Sequence, residues 1–143
     1  MIARELMTAD PVTVESTASI AEAWDLMREL YIRHIPVVQG GALVGMLSDR
    51  DLGQLDIGRV LGLEGAAAAR AELARSVIES MSADVIFVHP ETEVADVIGL
   101  LIEGRVGALP VIRPNTREVV GIISYVDVLR ALQDRLDGGR GRT

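Results

Sequence analysis

The chain has 143 residues, 49% hydrophobic, 24% charged and only 3% aromatic, which is enough apolar material to bury the core of one compact domain. It contains no cysteine and two histidines, His34 and His89, so neither a disulfide scaffold nor a thiolate metal site is available. A formal net charge of -7 opposes nonspecific attraction to nucleic acid or to an anionic membrane, and all 14 basic residues are arginine, which excludes Schiff-base chemistry on lysine.

No apolar run is long enough to span a bilayer, and Met1-Ile2-Ala3-Arg4-Glu5 has no apolar signal core behind a basic end. A cytoplasmic location is expected. In chain order, residues 2–6 read as a short helix, and Asp10-Pro11 breaks it before an extended run, Val12-Thr13-Val14. Ser16 or Ser19 can cap a helix from Ile20 to about Tyr31, whose apolar residues Ile20, Ala23, Trp24, Met27, Leu30 and Tyr31 share one face. Ile35-Pro36-Val37-Val38 reads as a buried strand, Gln39-Gly40-Gly41 as a hairpin turn and Ala42 to Leu47 as the return strand. From Gly53 to Ser76 lies a connector in which Leu55, Ile57, Val60, Leu61 and Leu63 are partly periodic, and Ala66 to Ser80 has the propensity of one helix.

At Met81 the pattern starts again. An offset of 74 pairs Met7 with Met81, Asp10 with Asp84, Val14 with Val88, Leu26 with Leu100, Pro36 with Pro110 and Val37 with Val111. The longer turn Arg113-Pro114-Asn115-Thr116-Arg117-Glu118 changes the offset to 76 for Gly45 and Gly121, Ser48 and Ser124, and Asp51 and Asp127. This is a tandem duplication. The last helix is expected from Asp127 to about Leu136, with a frayed tail over 137–143.

The duplicated stretch of greatest chemical interest is Gly45-Met46-Leu47-Ser48-Asp49-Arg50-Asp51-Leu52, repeated as Gly121-Ile122-Ile123-Ser124-Tyr125-Val126-Asp127-Val128. A strand ending at Ser and running into a helix would place a hydroxyl and the first free amides on one side, where an anion such as phosphate is favoured. The Asp one turn in can accept two hydrogen bonds from a cis-diol such as ribose. The same Ser-x-x-Asp spacing is also a capping box that merely closes a helix end, and the spacing leaves both readings open.

A Met before the first strand, a hydrophobic-Pro-Val strand, a short hairpin and Gly-x-x-Ser-x-x-Asp opening a helix, in that order and twice over, resemble the CBS domain. Two such repeats form a Bateman module. The resemblance covers residues 2–53 and 76–134 and implies an α/β (α+β) fold of two repeats. Each is a small sheet with two main helices, and the two pack with pseudo-twofold symmetry. The organisation expected is repeat one over 1–53, a helical connector over 54–75, repeat two over 76–136 and a flexible tail over 137–143. The resemblance also implies a homodimer and clefts that bind AMP, ADP, ATP or S-adenosylmethionine, with Ser on phosphate and Asp on ribose. Carried onto this chain, the first cleft would use Ser48, Arg50, Asp51, Arg33, His34, Ile35, Val12, Thr13 and Val14. The second would use Ser124, Tyr125, Asp127, Ile86, Phe87, Val88 and Leu109.

The two are not equal. Repeat one has Arg33, His34 and Arg50 where repeat two has Gly107, Ala108 and Val126, so a phosphate is expected at Ser48 and a weaker or less charged ligand at Ser124. No catalytic set is found, no obligatory cofactor or metal is implied, and Ser48, His34 and Asp51 are poorly spaced for a hydrolase triad. The expected function is a stand-alone regulatory module that signals occupancy to a partner protein. The alternative is a ligand-independent dimerising scaffold.

Overall fold

The structure is a computed structural model, and it describes residues 1–53 and 65–139. The proposed periodicity of Leu55, Ile57, Val60, Leu61 and Leu63 and the tail beyond 139 lie outside the described residues. The fold divides into two compact units, one of Val12–Val85 and the other of Met1–Pro11 with the chain from Ile86 onward.

In the Val12–Val85 unit, β2 (Val14–Glu15) pairs in parallel with β3 (His34–Gln39), which pairs antiparallel with β4 (Ala42–Ser48). Gly40 and Gly41, both at positive φ (59° and 85°), make the two-residue turn that matches strand twist. The extended run expected over 12–14 pairs only from Val14, since Val12 and Thr13 have no ladder partner. Helix α2 (Ile20–Leu30) is capped by Ser19, whose Oγ accepts from the Glu22 amide at 3.2 Å. Its inward face, Ile20, Ala23 and Met27, packs on Ile35, Val37, Leu47, Leu52 and Val77. Each large side chain buried there contributes about 1.5–3 kcal/mol. Leu30 and Tyr31, expected on that face, are exposed, Tyr31 by 95%. The helix stops at Leu30, and Tyr31 turns the chain outward in the left-handed region (φ 53°).

Asp49–Gly53 forms the one-turn helix α3, and Gly65–Leu73 forms α4, which lies against α2. The single helix expected over 66–80 is broken after Leu73. There the backbone turns to bond with residues 18–20: Ile20 N donates to Arg75 O (2.9 Å) and Val77 N to Ala18 O (3.0 Å). Propensity is overridden by tertiary pairing. A 3-10 turn over Val77–Glu79 follows, and then Met46 and Ser82 exchange two hydrogen bonds of 2.9 Å.

The other unit has α1 (Ala3–Leu6), β1 (Thr8–Ala9), α5 (Val94–Gly104), β5 (Ala108–Ile112), β6 (Val119–Ser124) and α6 (Tyr125–Gly138). Its sheet order is β1-β6-β5, all antiparallel. Over residues 86–88, the counterpart of 12–14 at the offset of 74, pairing is limited to one parallel bridge between Val88 and Val111. Ala3, Val88, Val97, Leu101, Leu109, Val111 and Ile123 form its core. Helix α6 starts two residues earlier than expected, with Ser124 as its cap. Equivalent irregularities recur: a register shift after Val37 and after Val111, and left-handed residues at Tyr31 and Arg105.

The compact units are offset from the sequence repeats. The first eleven residues, read as the start of repeat one, belong with the second sheet: Thr8 pairs with Ile122 and Ala9 with Gly121. Residues 76–85, read as the start of repeat two, belong with the first sheet through Ser76 and Ser82. The glycines of the repeated stretch explain why. A Cβ on Gly45 would lie 2.3 Å from Met81 Sδ, and one on Gly121 would lie 2.4 Å from Met7 Sδ. Each Met therefore seats on the glycine of the other sequence repeat.

Candidate functional site at the Ser48 junction

The antiparallel ladder sets His34 opposite Ser48, and Asp49 N donates to Arg33 O at 2.8 Å. Arg33, His34, Ser48 and the first turn of α3 thus converge on one end of the β3–β4 pair. Ser48 and Asp51 close on each other: Ser48 N donates to Asp51 Oδ2 (2.8 Å) and Asp51 N donates to Ser48 Oγ (3.1 Å). This is the reciprocal capping box. Among the described residues the second oxygen of Asp51 and the hydroxyl proton of Ser48 have no partner, so both can meet a ligand.

The same capping geometry recurs at Ser124 and Asp127, at 2.8 and 3.2 Å, with one difference: the Ser124 hydroxyl also donates to Asp127 Oδ2 at 3.1 Å. Ala108 stands opposite Ser124, and Tyr125 N donates to Gly107 O at 3.1 Å. The start of each helix offers fewer free amides than the sequence suggested. Asp49 and Asp51 spend theirs on Arg33 O and Ser48 Oγ, as Tyr125 and Asp127 do on Gly107 O and Ser124 Oγ. Side chains must therefore supply the positive charge for an anion. Arg33 and Arg50 are exposed and form no ion pair among the described residues. Gly107, Ala108 and Val126 supply no charge at the corresponding places.

Among the other candidates, Val14, Ile35, Val88 and Leu109 are enclosed in the two cores, and the Val88 amide and carbonyl are spent on Pro110 O and Ile112 N, so these residues serve packing and sheet pairing. Val12, Ile86, Phe87 and Tyr125 are exposed, and Thr13 is half-buried. The Phe87 ring meets the His89 ring edge-on at 5.8 Å, with the Arg117 guanidinium 5.5 Å from its centroid. His89 Nδ1 lies 2.9 Å from Ile112 O, a long-range contact to the end of β5. Asp49 was not singled out by sequence reasoning. Its neighbourhood with His34 depends on cross-strand register, which the spacing of residues does not reveal. No cluster of His, Asp or Glu that could hold a metal occurs among the described residues.

His34 is half-buried. Burial is the largest influence on its imidazole and holds its pKa below the ordinary 6.5; Asp49 and Asp51 push it up and Arg33 pushes it down. The unfolded chain therefore binds the proton more readily than the folded one. The stability that neutral His34 contributes is complete above 6.5 and is lost as pH falls through the lowered folded value. Urea midpoints are expected to fall on acidification from about pH 7 to about pH 5, more steeply in wild type than in His34→Gln.

The pattern of the CBS domain matches residues 3–54 and 74–134. The chain belongs to the CBS domain family. It is 30% identical over 125 residues to the CBS domain-containing protein YhcV of Bacillus subtilis, covering 87% of this chain and 81% of that one. The CBS domain pair of protein MJ0100, in complex with 5'-methylthioadenosine and S-adenosyl-L-methionine, superposes with TM-score 0.76 at 26% identity, over 94% of this chain and 98% of that chain. CBSX2 in complex with AMP gives TM-score 0.76 at 26% identity, over 93% and 96%. Of several longer curated relatives this chain spans only 23% to 36%. The tandem CBS fold and the two copies of its Ser-x-x-Asp junction are thus established together.

Proposed function

We propose that this CBS pair is a regulatory module that binds a phosphorylated adenosine at the Ser48 junction and passes its occupancy to a partner protein. The observation that carries the reading is the asymmetry of the junctions. Among the described residues Ser48 has a spare hydroxyl proton, Asp51 an open carboxylate oxygen, and Arg33 and Arg50 no acidic partner, with a half-buried His34 beside them. Ser124 has its proton engaged and no cation at the matching positions. Arg suits phosphate because its fork donates two parallel hydrogen bonds. The AMP complex of CBSX2 supports the ligand class, and the MJ0100 complex supports a thioether or sulfonium nucleoside as the alternative for the Ser124 junction. A ligand that prefers one arrangement of the repeats shifts the population toward it, which is all that signalling requires. Asp51 bonds to the Ser48 amide rather than to an imidazole, an arrangement without the His bridge of a hydrolase triad.

The second reading is a ligand-independent dimerising scaffold in the cytoplasm, in which both Ser-x-x-Asp pairs act only as caps. Helix α6 favours it. That helix has no fully buried residue, and Leu129, Leu132 and Leu136 are 56%, 52% and 62% exposed along one stripe bordered by Val126. Such a face suits a second copy of the chain, and in the regulatory reading the same pairing would couple two modules.

Thermal melts of nucleotide-stripped protein against AMP, ADP, ATP and S-adenosylmethionine separate the two. At a hundred times its dissociation constant a ligand adds about 2.7 kcal/mol. For a chain of this size that raises the midpoint by roughly 5–11 °C. The regulatory reading expects such a rise for at least one phosphorylated ligand. The scaffold reading expects no rise with any of the four and a solution mass of twice 15.4 kDa throughout.

A further inference from the structure

Resting on the nucleotide reading above, we infer that His34 makes the Ser48 junction select phosphorylated over unphosphorylated adenosine by taking a proton from solvent onto its imidazole as the phosphate arrives. The geometry places a half-buried, titratable ring where the charge changes. His34 begins β3 directly opposite Ser48, with Arg33 next to it in the chain, Asp49 bonded through its amide to Arg33 O, and the Asp51 carboxylate held on the Ser48 amide, so that both carboxylates act on the ring. In the ligand-free protein these charges oppose one another and burial decides, so the ring is neutral near pH 7.5.

A phosphate adds about two negative charges to this cluster. Two carboxylates and a phosphate bring about four negative charges around a half-buried ring and favour the imidazolium, and Arg33 and Arg50 together do not offset them. The proton moves from water or buffer to a ring nitrogen and no other bond changes. Adenosine brings no such charge and leaves the ring neutral. The Ser124 junction has Ala108 in this position and takes up no proton.

The experiment is calorimetric titration with AMP and with adenosine near pH 7.5, in buffers of different ionisation enthalpy, on wild type, His34→Gln and His34→Arg. At that pH AMP is already a dianion, its second phosphate pKa being about 6. Wild type is expected to absorb a substantial fraction of one proton on binding AMP and none on binding adenosine. Its AMP affinity should rise by up to about tenfold per pH unit on acidification toward pH 6.5. His34→Arg, a fixed cation, should bind AMP with no proton uptake and a flat pH profile, and His34→Gln should bind AMP more weakly, also without uptake. Wild-type AMP binding with no proton uptake overturns the inference while leaving the nucleotide reading intact, as does equal uptake in the variants. Absence of AMP binding to wild type overturns both.

Discussion

Gly45→Ala is expected to destabilise the protein by about 1–3 kcal/mol, the usual cost of overpacking a closed site, and by more than Gly121→Ala. The new methyl at residue 45 would meet Met81 Sδ at 2.3 Å, Met81 Cγ at 2.9 Å and the Ser82 carbonyl oxygen at 3.0 Å. The thioether is flexible and can move aside. The carbonyl cannot follow, because Met46 and Ser82 hold each other through two 2.9 Å hydrogen bonds. At residue 121 the three nearest atoms all belong to the Met7 side chain. Urea unfolding of the two variants would show the difference. Truncating Met81 in the Gly45→Ala background should recover only part of the loss, since the carbonyl contact remains.

Arg33→Ala and Arg50→Ala are each expected to weaken AMP binding by roughly 10- to 100-fold, the equivalent of a charge-assisted hydrogen bond of about 1.5–3 kcal/mol. Adenosine binding should be little changed. Both side chains are exposed and unpaired with acid among the described residues, so their removal leaves no buried charge behind and the fold should be unaffected. The paired readout distinguishes phosphate recognition from a general loss of structure. Titrations should be made at one stated salt concentration, because exposed charges are screened.

Much of this was legible in the sequence because the chain states its pattern twice. The offsets of 74 and 76 aligned strand, helix and hairpin, and the hydrophobic-Pro-Val strands, the Gly40-Gly41 turn and the Ser-x-x-Asp caps all lie where spacing placed them. What repetition could not reveal is which copy a segment packs against. Met7 and Met81 occupy equivalent positions, so exchanging them leaves every alignment unchanged; the pairing of Thr8 and Ala9 with Ile122 and Gly121, and of Ser82 with Met46, shows the exchange. The break after Leu73 was hidden for a related reason, since alanine-rich sequence favours helix until long-range backbone bonds to residues 18–20 intervene. At the site, residue types indicated the Ser48 and Ser124 asymmetry. The consumption of the Asp49 and Asp51 amides, the engaged Ser124 proton and the closeness of Asp49 to His34 required the folded ladder.

The central claim is that Ser48 and Asp51 form a ligand site and not a cap alone, and that the second copy does not share the role. Calorimetric titration of AMP into wild type, Asp51→Asn and Asp127→Asn tests it most directly, since asparagine keeps an oxygen to accept from the Ser amide and so preserves each cap. One AMP site per chain in wild type and in Asp127→Asn, with none in Asp51→Asn, is the predicted result. Binding by Asp51→Asn indistinguishable from wild type, or equal losses in the two variants, would contradict it.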